Sequence, residues 1–253
     1  MKSCKVVTTY FGARRKYPRN FEESKDLLSK MIEKEKGTDA GVNCDVIIVN
    51  HLCEKNNDRA IELLDSVNGT EIKNGKIITM NRPYDNGEGF GFKSRDYAFQ
   101  KYQNDYDYWF FVEDDLNCFL DGYYRKCIDI LEQKPHVAFV CTFHDAVAGS
   151  YPFDQPRYRD KHCHGSIGCT HVRFLKEIGT IPYPKSDDYD AAQDSEIEGT
   201  NIFIKKGYSL ARVGECIHDK AWWAQSDLGW ESYEQDHTAK HPYTEYHPKK
   251  GYI

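Results

Sequence analysis

Two kinds of hydrophobic pattern alternate along the chain as far as Thr142. Short, unbroken runs of apolar and β-branched residues predict strands that are buried on both faces of a parallel sheet. Between these runs, apolar residues recur every three or four positions, which predicts amphipathic helices. The alternation predicts an α/β fold, with a mostly parallel central sheet flanked by helices. The predicted strands cover residues 5–10, 45–50, 76–80, 108–112 and 137–142, and the predicted helices cover 21–36, the surroundings of 60–64, 92–103 and 119–131.

The predicted strand at 108–112 runs directly into three acids, Glu113, Asp114 and Asp115. Adjacent carboxylates at the end of a buried strand lose solvation and repel one another. A divalent cation such as Mg²⁺ or Mn²⁺ would remove this conflict, and such ions are usually shared with substrate phosphates. In open α/β sheets the ligand binds beyond the carboxyl ends of the strands, where these acids are expected. The alternative is an acidic turn that follows a core strand and has no ligand.

Composition and charge narrow the classes of function. With 34 basic and 40 acidic residues, the chain of 253 residues carries a formal net charge of −6, which argues against a general nucleic-acid binder. Aromatic residues make up 14% of the chain, too many for a disordered protein. No apolar stretch approaches the roughly 20 residues that a membrane-spanning helix needs. The start of the chain lacks the apolar core of a signal peptide, and nine irregularly spaced cysteines suggest reduced thiols, so we expect a cytoplasmic protein.

The chain shows neither internal repeats nor a linker between two domains. Residues 149–161 are typical of a loop, because they are rich in proline, tyrosine and arginine. We therefore predict one domain over residues 1–227, followed by an aromatic and histidine-rich C-terminal tail at 228–253. The tail has no clear period, and it could order over a site, pack on a partner chain or stay mobile.

The order of several motifs resembles the nucleotide-sugar glycosyltransferases of the GT-A fold, especially the large inverting family 2. The polar residues Thr8, Thr9 and Tyr10 stand at the end of the first strand, where that family meets the nucleotide. Asn86-Gly87 and Arg95 look like its next loop and the basic residue of its following helix. The three acids at 113–115 take the place of its D-x-D signature, with Glu113 at the first position instead of Asp. The resemblance covers roughly residues 4–218.

Beyond the signature, the resemblance implies a catalytic acid and a further metal ligand. Counting back from Gly207-Tyr208 places the catalytic acid on Glu196, but the register is open by one or two residues, so Asp194 is the alternative. These acids are expected at the start of a helix, where they would suit the helix dipole. His218 stands where some metal-dependent members complete the metal shell.

The resemblance implies a metal-dependent, inverting transfer of a sugar from a nucleotide donor to a hydroxyl of a glycan or lipid-linked acceptor. The metal would be Mn²⁺ or Mg²⁺, and peripheral contact with a membrane and the oligomeric state are left open. Two alternatives stay open as well: a sugar-1-phosphate nucleotidyltransferase, and a binding module for nucleotides or sugars without turnover. The implied roles are Thr8, Thr9, Tyr10, Asn50, Arg95 and Asp114 around the nucleotide and its diphosphate, Glu113, Asp115 and His218 at the metal, and Glu196 or Asp194 as base.

Overall fold

The fold is seen in a computed structural model, which describes residues 1–13, 18–52, 58–83, 89–114, 116–141, 162–163, 167–184, 189–213, 221–225, 229–233 and 243–252. The strands are β1 (Ser3–Ala13), β2 (Pro18–Arg19), β3 (Cys44–Leu52), β4 (Glu71–Ile72), β5 (Gly75–Asn81), β6 (Tyr108–Glu113), β7 (Leu116–Cys118), β8 (Val137–Cys141), β9 (Gly168–His171), β10 (Ser209–Val213), β11 (Ala221–Gln225), β12 (Gly229–Tyr233), β13 (Tyr243–His247) and β14 (Gly251–Tyr252). The helices are α1 (Phe21–Gly37), α2 (Asp58–Val67), α3 (Phe90–Tyr102), α4 (Tyr123–Gln133), α5 (Val172–Ile178) and α6 (Tyr189–Lys205).

The central sheet has the order β14-β13-β10-β8-β9-β6-β1-β3-β5-β4. β1 pairs in parallel with β3 and β6, β3 pairs in parallel with β5, and β8 pairs in parallel with β10. β9 is antiparallel to both of its neighbours, β6 and β8, and β13 is antiparallel to β10. The prediction of a mostly parallel sheet flanked by helices is confirmed, and each strand predicted from an apolar run is present.

Helices cover both faces of the sheet because alternate residues of the central strands are apolar on each side. Val7 of β1 packs in the cluster that contains the apolar residues of α1 and α2. Its neighbour Val6 lies on the other face, in a cluster with residues of α3, α5 and α6. α4 covers β6, β8 and β9 on the first face, through residues such as Tyr124 and Ile128. The strands are thus buried on both sides, which leaves the strand ends as the accessible part of the sheet.

α1 shows how a local signal fixes the start of a helix. Asn20 lies at its N-cap, where its side chain accepts a hydrogen bond from the backbone N–H of Glu23, and the Glu23 side chain accepts from the backbone N–H of Asn20. This reciprocal pair satisfies two backbone donors that the first turn would otherwise leave open. The cap therefore fixes the residue at which α1 begins.

The C-terminal segment adds strands to the edge of the sheet. β13 pairs with β10, and β14 folds back on β13. Glu245 of β13 is buried, and its carboxylate lies 3.2 Å from Lys134 Nζ and 2.7 Å from His136 Nε2. Among the described helices, none is both long enough and apolar enough to cross a membrane.

Candidate functional site

Polar residues line one edge of the sheet, where the parallel strands β1, β3, β5 and β6 end. The strand register places Thr8 opposite Glu113, Thr9 opposite Asn50, and Asn50 opposite Asn81. Because the carboxyl ends of parallel strands meet at the same edge, the residues expected around a nucleotide and the first of the three acids share one location.

β6 and β7 form a hairpin, called here the acidic hairpin, in which Glu113 pairs with Leu116. The backbone N–H of Asp114 donates to Thr8 O at 3.2 Å, and the Asp114 carboxylate accepts from Thr9 Oγ1 at 3.2 Å. The Asp114 side chain is therefore turned into the protein, whereas the Glu113 side chain keeps 28% of its surface exposed. Asp115 lies outside the described residues.

Arg95 lies on the same side of the sheet as Glu113. Its Nη2 atom is 3.7 Å from Glu113 Oε1, and the Arg95 side chain is only 1% exposed. The guanidinium carbon stands 4.9 Å from the centre of the Phe92 ring and 5.8 Å from that of Phe111, so aromatic faces hold the cation in place. Arg95 is thus a buried cation whose nearest described carboxylate opens towards solvent.

The charge of Glu196 on α6 also acts on Arg95. Burial lowers the pKa of the guanidinium from its ordinary value, and the negative charges of Glu113 and then Glu196 oppose that shift, with Cys163 a smaller influence. Arginine stays protonated even so, because its ordinary pKa is so high. The acid expected to be catalytic therefore lies within electrostatic range of the cation expected to bind a diphosphate.

The acids of α6 lie elsewhere in their helix than the sequence suggested. Asp194 and Glu196 were expected at a helix N-terminus, but α6 already begins at Tyr189 and both acids lie in its interior. The helix extends upstream because Ala191 and the next two residues, Ala192 and Gln193, are good helix formers. Asp194 is exposed, whereas Glu196 is partly buried.

The start of α3 packs directly on the end of β1. Thr8 Oγ1 donates to Gly91 O at 3.3 Å, and a Cβ atom added to Gly91 would lie only 2.8 Å from the hydroxyl of Tyr10. Buried Arg82 holds the same turn through a 3.2 Å bond from its Nη1 to Phe90 O. The close approach needs a residue without a side chain, which is why glycine stands at position 91.

The fold now allows a comparison with known proteins. The sequence matches no protein-family model and no curated protein. A mannosyltransferase of Pyrobaculum calidifontis, solved in complex with GDP-Man and Mn²⁺, superposes with a TM-score of 0.52 at 12% identity, over 83% of this chain and 53% of that one. The chain therefore spans about half the length of that enzyme. The protein has the GT-A fold.

Two more solved structures are similar to this GT-A chain at lower scores. A CMP:2-keto-3-deoxy-manno-octonic acid synthetase in complex with CTP gives a TM-score of 0.46 at 12% identity, over 81% of this chain and 86% of that one. Residues 1–349 of TarS from S. aureus give 0.44 at 14% identity, over 81% and 56%. At such identities the similarity defines the fold alone, and the resemblance found in the sequence is confirmed at that level.

The metal site expected from the sequence is only partly within the described residues. Asp115 and His218, two of the three expected ligands, lie outside them. In the described part of the chain, no three His, Cys, Asp or Glu side chains gather into a group that could hold a metal ion. The third expected ligand, Glu113, presents a partly exposed carboxylate at the edge of the sheet, and oxygen donors of this kind suit Mn²⁺ or Mg²⁺.

Asn50 has a hydrogen-bonding arrangement that the sequence did not reveal. Its amide Nδ2 donates to Asn81 Oδ1 at 3.0 Å, while its Oδ1 atom is buried without a hydrogen-bond partner within the described part of the chain. A buried acceptor in this state is costly, and a donor from a ligand or a water would satisfy it. Asn81 was not among the expected site residues, although polar ends of neighbouring parallel strands should meet.

Proposed function

We propose that the protein is a glycosyltransferase that uses a nucleoside diphosphate sugar as donor. It transfers the sugar, with inversion at the anomeric carbon, to a hydroxyl of a glycan or of a lipid-linked acceptor, and it depends on Mn²⁺ or Mg²⁺. The observation that carries this proposal is the placement of buried Arg95 beside Glu113, within electrostatic reach of Glu196. A transferase of this class needs a cation for the leaving diphosphate and a carboxylate for the incoming hydroxyl. The GT-A fold supports the proposal.

The nucleotide occupies the carboxyl ends of β1 and β3 in this proposal. Thr8, Thr9 and Tyr10 lie in the second half of β1, which ends at Ala13, and Asn50 lies beside Thr9 in the neighbouring strand. The unsatisfied Oδ1 of Asn50 supports its role, because a nucleotide N–H or O–H would complete its hydrogen bonding. Asp114 contributes indirectly, since its carboxylate fixes Thr9.

The diphosphate is assigned to the edge of the sheet beside Arg95 and Glu113. The guanidinium lies in a largely water-excluded position, where its attraction for a developing negative charge is stronger than in water. Glu113 would hold the metal, together with Asp115 and His218 as the expected ligands. When bound, Mn²⁺ or Mg²⁺ acts as a Lewis acid that neutralises charge on the departing diphosphate.

The acceptor hydroxyl attacks the anomeric carbon from the face opposite the leaving group. A bond forms between its oxygen and the anomeric carbon while the bond to the diphosphate oxygen breaks, and the electron pair leaves with the nucleoside diphosphate. The hydroxyl proton passes to the carboxylate of Glu196. We prefer Glu196 to Asp194 because it is partly buried and acts on Arg95, whereas Asp194 is exposed.

A panel of radiolabelled nucleotide sugars tests this function. The protein is incubated with each donor and Mn²⁺, and free nucleoside diphosphate and free sugar are measured, since transfer to water replaces the missing acceptor. We expect release from at least one donor and its loss in excess chelator. Release of pyrophosphate from a nucleoside triphosphate and a sugar 1-phosphate would instead identify a nucleotidyltransferase. Binding of nucleotide without turnover of any donor would identify a binding module.

A further inference from the structure

A buried polar network lies beneath the acidic hairpin, on the α1 and α4 side of the sheet. Lys5 Nζ of β1 is 2.5 Å from Glu35 Oε1 of α1, and the same carboxylate oxygen accepts from Asn117 Nδ2 of β7 at 3.1 Å. Asn117 Oδ1 in turn accepts from Tyr124 OH of α4 at 2.9 Å. All four side chains are almost fully buried. The Asn117 amide therefore links β7 directly to α1 and α4, and through Glu35 to β1.

Asn117 links the acidic hairpin to the helices behind it. β7 is three residues long and pairs with β6 at a single position, Glu113 with Leu116. On its other side, all three residues of β7 pair with β11. The hairpin is fixed on its β6 side by the bonds of Asp114 to Thr8 and Thr9. On its β7 side, the amide of Asn117 bonds to α1 and α4.

The amide of Asn117 also sets the local backbone. Its Oδ1 accepts from the backbone N–H of Cys118 at 2.8 Å, while Tyr124 OH donates to Cys118 O at 2.7 Å. The Lys5 ammonium lies 4.2 Å from the centre of the Tyr124 ring, so the cation holds both the carboxylate and the ring. Glu35 and Tyr124, the residues of other elements that bond to the Asn117 side chain, are therefore both in contact with Lys5.

We propose that Asn117 is a positioning residue, which together with Glu35 and Tyr124 holds the acidic hairpin in the geometry that binds the metal–diphosphate complex. The inference rests on the proposed function, since it takes Glu113 and the turn after it as the metal-binding part. Removing a group that orients a metal ligand commonly lowers the affinity for the metal about 10- to 100-fold.

Three variants separate positioning from general stability. Asn117→Leu keeps the approximate volume and removes every polar contact of the amide. Tyr124→Phe removes only the hydroxyl that bonds to Asn117 and Cys118. Thr170→Val is the matched control, because Thr170 in β9 makes a buried bond to Ala138 O at 2.7 Å, away from the hairpin. Thermal unfolding is recorded for each variant, and binding is measured at an equal margin below each Tm.

The readout is the affinity for Mn²⁺ in the presence of UDP or GDP, measured from the free Mn²⁺ signal in electron paramagnetic resonance. We expect Asn117→Leu to weaken Mn²⁺ binding about 10-fold or more, Tyr124→Phe to weaken it less, and Thr170→Val to leave it unchanged. If Asn117→Leu does not fold, the Mn²⁺ affinity of Tyr124→Phe is compared with that of Thr170→Val, and this comparison decides the test.

Wild-type affinity in the Asn117 and Tyr124 variants, or an equal loss in Thr170→Val, would overturn the positioning role while leaving the proposed function intact. A wild-type protein that binds no Mn²⁺ with either nucleotide would overturn the metal-dependent function, and the positioning role with it.

Discussion

Two buried cations of this protein, Lys5 and Arg95, face opposite sides of the same sheet and have opposite surroundings. Each side chain is 1% exposed. The carboxylate of Glu35 lies 2.5 Å from Lys5, is itself 7% exposed, and accepts a second bond from Asn117. The carboxylate of Glu113 stands 3.7 Å from Arg95 and is 28% exposed. The Lys5–Glu35 pair is thus closed to solvent and completed by a further hydrogen bond, whereas the Arg95–Glu113 pair is open to solvent.

The difference separates a group that maintains the fold from one that is ready for a ligand. A buried ion pair repays its desolvation only when the geometry is good and further hydrogen bonds complete it, as they do around Lys5. The pair at Arg95 is looser, and its carboxylate keeps contact with water at the edge of the sheet where the diphosphate is proposed to bind. We therefore expect the first pair to determine stability and the second to determine activity.

Breaking the Lys5–Glu35 pair should have the largest effect on the free energy of unfolding. Lys5→Met leaves the Glu35 charge buried without its partner, which we expect to cost about 3–5 kcal/mol in the free energy of unfolding. Chemical denaturation measures this loss. The double variant Lys5→Met/Glu35→Gln removes both charges and keeps an acceptor for Asn117, so it should recover most of the stability. A double variant as unstable as the single one would contradict the account.

Removing the charge of Arg95 should lower the rate of sugar transfer. Arg95→Met keeps an unbranched apolar chain between Phe92 and Phe111 but loses the charge, so we expect turnover to fall about 10²–10³-fold. The free energy of unfolding should change far less than in Lys5→Met, because Glu113 keeps its contact with water. Steady-state kinetics and denaturation are measured together. Lys101→Met, an exposed position of the same helix, is the control, and Arg95→Met with wild-type turnover would refute the role.

His171 extends the comparison to a partly buried group whose neutral form is favoured, and changing it should give the smallest effect. Its Nδ1 accepts from the N–H of Arg173 at the start of α5, at 3.0 Å. Burial, and secondly Arg173, lower the pKa of His171 below its ordinary value. The unfolded chain therefore binds the proton more readily, so this contribution to stability is present above the ordinary pKa and is lost as pH falls through the lowered value.

The variant His171→Asn tests this pH dependence, because asparagine keeps an acceptor at the helix N-cap and cannot titrate. Unfolding free energies of the two proteins are compared from pH 7 down to pH 5. We expect the wild type to lose stability relative to His171→Asn over this range. Parallel curves would show that His171 does not contribute in this way.

The sequence predicted five strands of the central sheet and four helices well, because buried parallel strands such as 108–112 are unbroken apolar runs. The shorter strands, such as β7 and β9, have no such run. The resemblance named Thr8, Thr9, Asn50 and Glu113, which the strand register places at one edge, but it missed Asn81.

The sequence could not predict the Lys5–Glu35 pair, because a lysine at the start of a strand reads as exposed and its partner lies in a helix 30 residues away. It placed the start of α6 too late, because acids favour a helix N-terminus, whereas Ala191 upstream of them continues the helix.

The central claim is that Glu196, held near Arg95, takes the proton of the acceptor hydroxyl. Glu196→Gln keeps the shape of the side chain and removes the base, and Glu198→Gln makes the same change at an exposed position of the same helix. Single-turnover transfer from the donor found in the panel is the measurement. We predict a loss of about 10²–10⁴-fold for Glu196→Gln, with donor affinity retained and Glu198→Gln unaffected. Transfer at the wild-type rate in Glu196→Gln would contradict the claim.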